Sequence, residues 1–379
     1  MQTTVETVPF QPFELERYQN KWENRVDYNL AESGVEPLTF AELLAVTGVD
    51  RSALDALKLG YGQTDGSDEL KAAIAAMYPG AGVDNVLVTV GSSEANFVSC
   101  WSLVERGTRV AVQMPTYKQI WGISQNLGAE VVPFHLTARE GWALDEASAR
   151  DAITAGTRLV VVTNPNNPTG HVLTHAEQDL LVELTAANGG WLLADEVYRG
   201  GEHSGHITPS FWGSADNVIV VGGLSKAYGL PGLRIGWVVA PSQFIADAAA
   251  RHDYAVIAPS SLSDFLAIKA LAVRSRLLDR ARDIVTTNYG ALNHWFQEHR
   301  HIFSLTPPQC GAICFPKYSI DIDSFDLVDH LRKHNGVLLV PGSHFDAPGY
   351  LRIGFGYDRT ALVDGLARAS DGLRALMKA

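Results

Sequence analysis

The chain has 379 residues, 46% hydrophobic and 19% charged, with no run of like charges, as expected of a globular protein able to bury a large core and to divide into two domains. A formal net charge of -12 opposes binding to nucleic-acid phosphates or anionic membrane surfaces, which need clustered Lys and Arg, and directs the reading toward small-molecule chemistry. Thirty-four glycines and 17 prolines spread without period exclude a collagen-like or linker-like chain.

Residues 1–11 lack the basic start and apolar stretch of a signal peptide, and no apolar run approaches membrane-spanning length, so a cytoplasmic protein is expected. From Phe13 to Val26, Leu15, Tyr18 and Trp22 recur at spacings of three and four, which predicts an amphipathic helix. An extended segment, Tyr28 to Leu30, and a turn at Ser33-Gly34 follow.

After about residue 45, short apolar strands alternate with helical stretches: 86–90, 109–114, 130–134, 159–164, 191–196, 217–223 and 235–240. Continuous β-branched runs predict strands covered on both faces, and the helix-length intervals suit parallel crossovers. The fold class is therefore α/β, with a mostly parallel, helix-covered sheet in a large domain over residues 45–261. Beyond 262, long helical stretches precede the strands CFPKYSIDI, GVLLVPG and LRIGF and a last helix from Arg359 to Met377. Residues 10–44 and 262–379 are expected to form a smaller α+β domain.

Cys100, Cys310 and Cys314 cannot make a disulfide framework and read as core thiols in a reducing compartment. Twelve histidines show no HExxH-like spacing, and His203 and His206, in a glycine-containing loop, read as solvated imidazoles, so no metal is expected.

The sharpest signal is SKAYGLPGLRIGW, Ser225 to Trp237, directly after an apolar strand. Burying an unpaired ammonium is costly and depresses its pKa, which is useful where an amine must attack an aldehyde. A lysine after a strand is ordinarily a solvated loop residue; its company argues otherwise. TNPNNPTG, 163–170, and ADEVY, 194–198, each end a strand, where open α/β sheets bind ligands. VTVGSSEANFVS, 88–99, is a strand, a small-residue turn and a helix whose first N–H groups suit a phosphate, although a plain capping turn looks the same.

Taken in order, NPNNPTG, DEVY, SKAYGLPGLR and LRIGF resemble the class I/II aminotransferases, including aspartate-aminotransferase-like enzymes, over nearly the whole chain. The resemblance implies fold type I and the cofactor pyridoxal 5'-phosphate (PLP), carried by Lys226 as a Schiff base. Lys226 would also move a proton between substrate Cα and cofactor C4′. Asp195 would keep the pyridine nitrogen protonated, where its plain alternative is a helix cap. Tyr198 and Asn167 would bond the phenolate oxygen, and Asn167 alternatively steadies a proline-rich turn. Gly91, Ser92, Ser93, Ser225 and Arg234 would hold the phosphate. Tyr117 would stack on the ring or serve as ordinary core. Tyr61 in LGYGQTDG would reach the phosphate of a neighbouring subunit, which implies a homodimer with shared active sites. Arg352 would take the substrate α-carboxylate, implying amino acid and keto acid substrates.

Two departures stand out. Gly223 replaces a serine or threonine that commonly touches the phosphate in relatives. The stretch AESGVEPLTFAEL, 31–43, differs from the common aminotransferase pattern and is faintly similar to capreomycidine synthase, a cyclising relative from antibiotic pathways. Glu32 and Gly34 then become candidates to face the substrate, Glu32 having a solvated or capping carboxylate as its alternative. The expected reaction is ping-pong transamination. A lyase, cyclase or oxidase on the same cofactor is the main rival, since cofactor motifs do not separate them. A cofactor-sensing module tied to transcription needs a basic DNA-reading domain, which residues before 45 do not supply. Lys118, Gln119 and Trp121 follow the stacking tyrosine as further pocket candidates.

Overall fold

A computed structural model describes residues 10–377, so the reading of the chain start as free of a signal peptide falls, but for residues 10 and 11, outside them. An eight-stranded sheet runs edge to edge as Val86–Val90, Ile235–Val239, Val218–Gly223, Trp191–Asp195, Thr157–Thr163, Arg109–Met114, Glu130–Thr137 and Ala143–Leu144. Adjacent strands are parallel from Val218–Gly223 through Glu130–Thr137, whereas Ile235–Val239 runs antiparallel to both its neighbours.

Period-2 side chains divide this sheet between two cores. Leu87, Val110, Val112, Leu159, Val161, Leu193, Ile219 and Val238 pack with Val98, Phe244 and Ala248 of the helices Ser92–Leu103 and Ser242–Ala255. Val88, Ala111, Val160, Val162, Ala194 and Val220 face the other way, with Leu70, Leu181 and Leu266. Each fully buried aliphatic side chain contributes roughly 1.5–3 kcal/mol. Glu130–Thr137 departs from the expectation of two covered faces: Pro133 and His135 are exposed while Phe134 and Leu136 are buried. Only a two-residue strand lies outside it, so its outer face meets solvent.

The remaining strands are short. Tyr28–Asn29 pairs in parallel with Val337–Leu338, and Leu351–Gly354 pairs antiparallel with Ile313–Cys314 and with Val340–Pro341. CFPKYSIDI is not one strand: Lys317–Tyr318 leaves the Ile313–Cys314 line to pair with Phe303–Ser304. Pro316, without an N–H, stands at the break. The first helix spans Glu14–Trp22, shorter than its apolar period suggested. Long helices at Ser261–Ala272, Arg274–Glu298 and Arg359–Leu376 complete this part. No helix among the described residues is long and apolar enough to cross a membrane.

For the site, one row of the sheet matters most. Thr163, Asp195 and Val221 are register partners at the carboxyl ends of three parallel strands, and Lys226 follows the last of them.

Candidate active site

A cleft of about 250 Å³ opens at those strand ends and is lined by Lys226, Asp195, Tyr198, Asn167, Tyr117, Ser92, Ser93, Ser225, Arg234, Arg352 and Glu32, among others. The lysine Nζ lies 2.9 Å from Ser33 Oγ and 3.5 Å from Glu32 Oε1. Asp195 is buried at the end of its strand; its carboxylate accepts from Asn96 Nδ2 at 2.9 Å and from the Val197 N–H at 3.2 Å. Asn167 is a two-way brace, donating to Tyr198 Oη at 3.2 Å and accepting from Arg352 Nη1 at 3.1 Å. Arg352, 1% exposed, also donates from Nη2 to Ala31 O at 2.6 Å, while its Nε has no partner.

Gly91 ends the Val86–Val90 strand at φ 79°, a left-handed conformation suited to glycine. A Cβ there would collide with the Arg234 guanidinium, so the glycine lets that cation reach the start of the helix Ser92–Leu103. The first-turn N–H groups of Ser92 and Ser93 have no carbonyl within the helix to bond. Gly236 is equally constrained, since a Cβ would strike Gly91 and Ser92. Gly223 is less constrained: a Cβ would lie 3.7 Å from Ser92 Cβ but 3.3 Å from Ile235 O, a tight contact with backbone.

Electrostatically the cleft is a mixed cage. Burial pushes the Asp195 carboxyl up, with the Asn96 and Val197 hydrogen bonds and the Lys226 charge pulling against it. Burial alone would lower the Lys226 pKa, but Glu32 above all, and then Tyr198, outweigh it and hold the amine above its ordinary value. The expectation of a depressed lysine is thereby corrected, because the ammonium is paired with Glu32 and Ser33. Glu32 is held low, first by Lys226, against the opposing effect of burial.

Gly91 packs against Arg234 at the edge of the cup, and Gly34 sits behind the Lys226 stem, where a Cβ would stand 3.9 Å from Lys226 Cδ. Tyr117 lines the cleft with its hydroxyl donating to Glu16 Oε1 at 2.6 Å. Tyr61 stands apart, 89% exposed and outside this chain's own cleft. Gln119 faces the cleft, whereas Lys118 pairs with Asp346 at 2.5 Å, and both Lys118 and Trp121 line a neighbouring cavity. His203 is not a solvated imidazole: its Nε2 lies 2.7 Å from Gly311 O, and burial lowers its pKa; His206 is exposed. Cys100, Cys310 and Cys314 are buried free thiols.

Sequence reasoning missed Glu16, Gln19 and Glu23, which the first helix turns into the cleft, and Asn96, the partner of Asp195. Spacings of three and four place the first three on one helical face, but that spacing does not tell whether water or a cleft lies opposite it. Asn96, four residues after Ser92, has an orphaned buried Oδ1.

Residues 51–368 match the family described as aminotransferase class I and II. This chain belongs to that family. Capreomycidine synthase from Streptomyces vinaceus is 32% identical to this class I and II aminotransferase family member, over 91% of this chain and 89% of its own. A PLP-dependent aminotransferase from Streptococcus suis 89-1591 superimposes with a TM-score of 0.92 at 34% identity, covering 97% of this chain and 99% of that one. The PLP-dependent cyclase OrfR gives 0.90 at 29%, covering 98% and 100%. The protein is a PLP-dependent enzyme with the type I fold. The residues present fit that cofactor: a cup with free N–H groups and an arginine, a buried carboxylate, an amine, and unpartnered polar atoms on Asn96 and Arg352.

Proposed function

We propose that this enzyme transfers the amino group of an amino acid to a 2-keto acid, working in the cytoplasm as a homodimer. The observation that carries the reading is Arg352: a buried guanidinium, braced by Asn167 and Ala31, opens into the same cleft as the Lys226 amine and Asp195. A planar fixed cation of this kind suits an α-carboxylate, and an amine nearby suits the α-carbon chemistry.

PLP, when bound, supplies an aldehyde that captures the amino group and a ring that accepts the electron pair left at Cα. Arg352 would orient the carboxylate, and Lys226 Nζ would take the proton from the substrate α-carbon and deliver it to the former aldehyde carbon of the cofactor. Asp195 holds the ring nitrogen charged. Tyr198, bonded to Asn167, donates to the ring oxygen, and Gly91, Ser92, Ser93, Ser225 and Arg234 hold the phosphate. Tyr61 and its neighbour Leu59, 89% and 85% exposed, support a partner subunit seated on that segment.

A second reading, cyclisation or elimination on an amino acid, is supported by Glu32 at the lysine and by the likeness to capreomycidine synthase and the cyclase OrfR. Under either reading, Glu16, Glu23 and Glu32 on the cleft wall favour an amino acid with a neutral or cationic side chain over an acidic one.

The test is stopped-flow absorbance of the PLP-loaded enzyme mixed with arginine, lysine, leucine and aspartate in turn, then with keto acids. Conversion of the cofactor to its amine form, reversed by a keto acid and absent in Lys226→Ala, establishes transamination. Product release without that conversion moves the assignment to the second reading, and aspartate outrunning arginine and lysine sinks the side-chain preference.

A further inference from the structure

Behind the phosphate cup lies a buried ion pair that none of the chemistry above uses. His252, on the helix Ser242–Ala255, is 0% exposed, and both its ring nitrogens meet acceptors: Nδ1 lies 2.7 Å from Glu94 Oε1 and Nε2 2.8 Å from Thr64 O. A neutral imidazole carries one N–H, so satisfying a carboxylate and a carbonyl together needs the imidazolium. The other carboxylate oxygen, Glu94 Oε2, accepts the N–H of Val90 at 2.6 Å, the residue that leads into Gly91, Ser92 and Ser93. Thr64 belongs to the segment that carries Tyr61.

This arrangement poses an electrostatic problem and answers it. A carboxylate in the first turn of the helix Ser92–Leu103 fixes the backbone of the cup, yet it also puts a negative charge where a phosphate dianion must sit. His252 supplies the compensating charge from the side away from the cleft. Burial pulls its pKa down, but the Glu94 hydrogen bond and charge and the Thr64 carbonyl outweigh that and raise it.

We propose that Glu94 and His252 are a charge-balanced positioning pair that sets the affinity of the cup for the cofactor phosphate and ties the Tyr61 segment to it. Glu94 shapes the loop; His252 keeps that carboxylate from repelling the anion. The proposal rests on the placement of the phosphate at residues 91–93, which the test checks separately.

The experiment compares PLP with pyridoxal, which lacks the phosphate, as ligands of the cofactor-free protein, each followed by its absorbance. The ratio of the two affinities isolates the phosphate from the rest of the site. His252→Gln keeps a donor for Glu94 but leaves the carboxylate uncompensated, and the ratio falls about ten- to hundredfold, the range carried by outer partners of a charged site. Adding Glu94→Gln removes the stranded charge, and the double variant returns to within about threefold of wild type, the non-additivity expected of a coupled pair. Glu94→Gln alone does not lower the ratio. His252→Asn serves in place of the glutamine variant if the latter does not fold.

A purely structural pair weakens both ligands alike and leaves the ratio unmoved in every variant, which overturns the proposal. Arg234→Ala separates the two failures. If it lowers the ratio while the His252 variants do not, the pair has no role toward the phosphate. If it too leaves the ratio unchanged, the phosphate does not bind at the cup.

Discussion

Glu32→Gln tests the charge logic of the cleft at its centre. Glu32 Oε1 stands 3.5 Å from Lys226 Nζ. At that separation a pair of unit charges is worth about 1 kcal/mol in bulk water and about 5 kcal/mol at an effective dielectric of 20. Each side chain leaves 27% of its surface open to solvent, which moves the pair toward the lower figure, roughly 1.5 kcal/mol or slightly over tenfold in an equilibrium. Glu32 raises the lysine pKa, so at neutral pH it holds Lys226 as the ammonium, while capture of the aldehyde needs the free amine. Removing the carboxylate enlarges the free-amine fraction. The expected result is PLP capture about tenfold faster at pH 7 in Glu32→Gln, with the whole rate-against-pH profile displaced to lower pH. The assay is the absorbance of cofactor-free protein mixed with PLP between pH 6 and 9. A profile that stays in place, or moves to higher pH, refutes the reasoning.

Arg352→Lys replaces a braced planar fork with a point charge, and the dissociation constant for amino acids rises about ten- to hundredfold, while that for the corresponding decarboxylated amines, measured by the same titration, stays put. Gly223→Ser places a hydroxyl toward Ser92, and dilution assays read cofactor release slowed about fivefold, the worth of one added hydrogen bond; faster release means the crowding at Ile235 O wins. Glu177, half-buried in a capping box with the exposed Thr174, is opposed by burial but held down to about 2 by His171, the Leu144 N–H and Thr174. Its stabilisation is therefore full above its ordinary pKa and lost as pH falls toward 2. Urea unfolding should show Glu177→Gln less stable by about 2–3 kcal/mol at pH 7, with the gap closing in acid.

The central strands were legible because runs such as VLVTV and VIVVGG are apolar throughout, and in the interior of a parallel sheet both faces need burial. That argument fails at Glu130–Thr137, where only a two-residue strand shields the flank and the two faces meet different surroundings. It fails too at CFPKYSIDI, where composition says strand but Pro316 interrupts the pairing. At the site, residues anchored to strand ends, Asp195 and Lys226, could be placed from sequence because the strand fixes where they emerge. Glu16 and Glu23 could not, because a polar helical face looks the same whether water or a cleft lies opposite. The lysine pKa depended on one carboxylate 194 positions away in the chain, a contact that only folding reveals.

Under the proposed function, the residues that would hold the cofactor and those that would choose the substrate come from different parts of the molecule, and this limits what motifs alone say of the reaction. Asp195 and Lys226 follow the carboxyl ends of sheet strands and serve any chemistry that needs an electron sink and a mobile proton. Glu16 and Glu23 come from the first helix and its C-cap, and Glu32 from the segment after the strand Tyr28–Asn29. Burial raises the Glu23 carboxyl, and the neighbouring charges of Glu32 and then Glu16 raise it further, so this wall already carries more negative charge than it readily holds. Three cations line the cleft, and under the proposed function Arg234 would be taken by the cofactor phosphate and Arg352 by the substrate α-carboxylate. Lys226, if it carries the cofactor, would give up its charge as a free ammonium. The carboxylates are then left without a counter-ion from the protein, and an acidic substrate side chain would add to the repulsion while a cationic one relieves it. On that reading, selection among substrate side chains falls to this acidic wall, in which Glu32 lies 3.5 Å from the Lys226 amine.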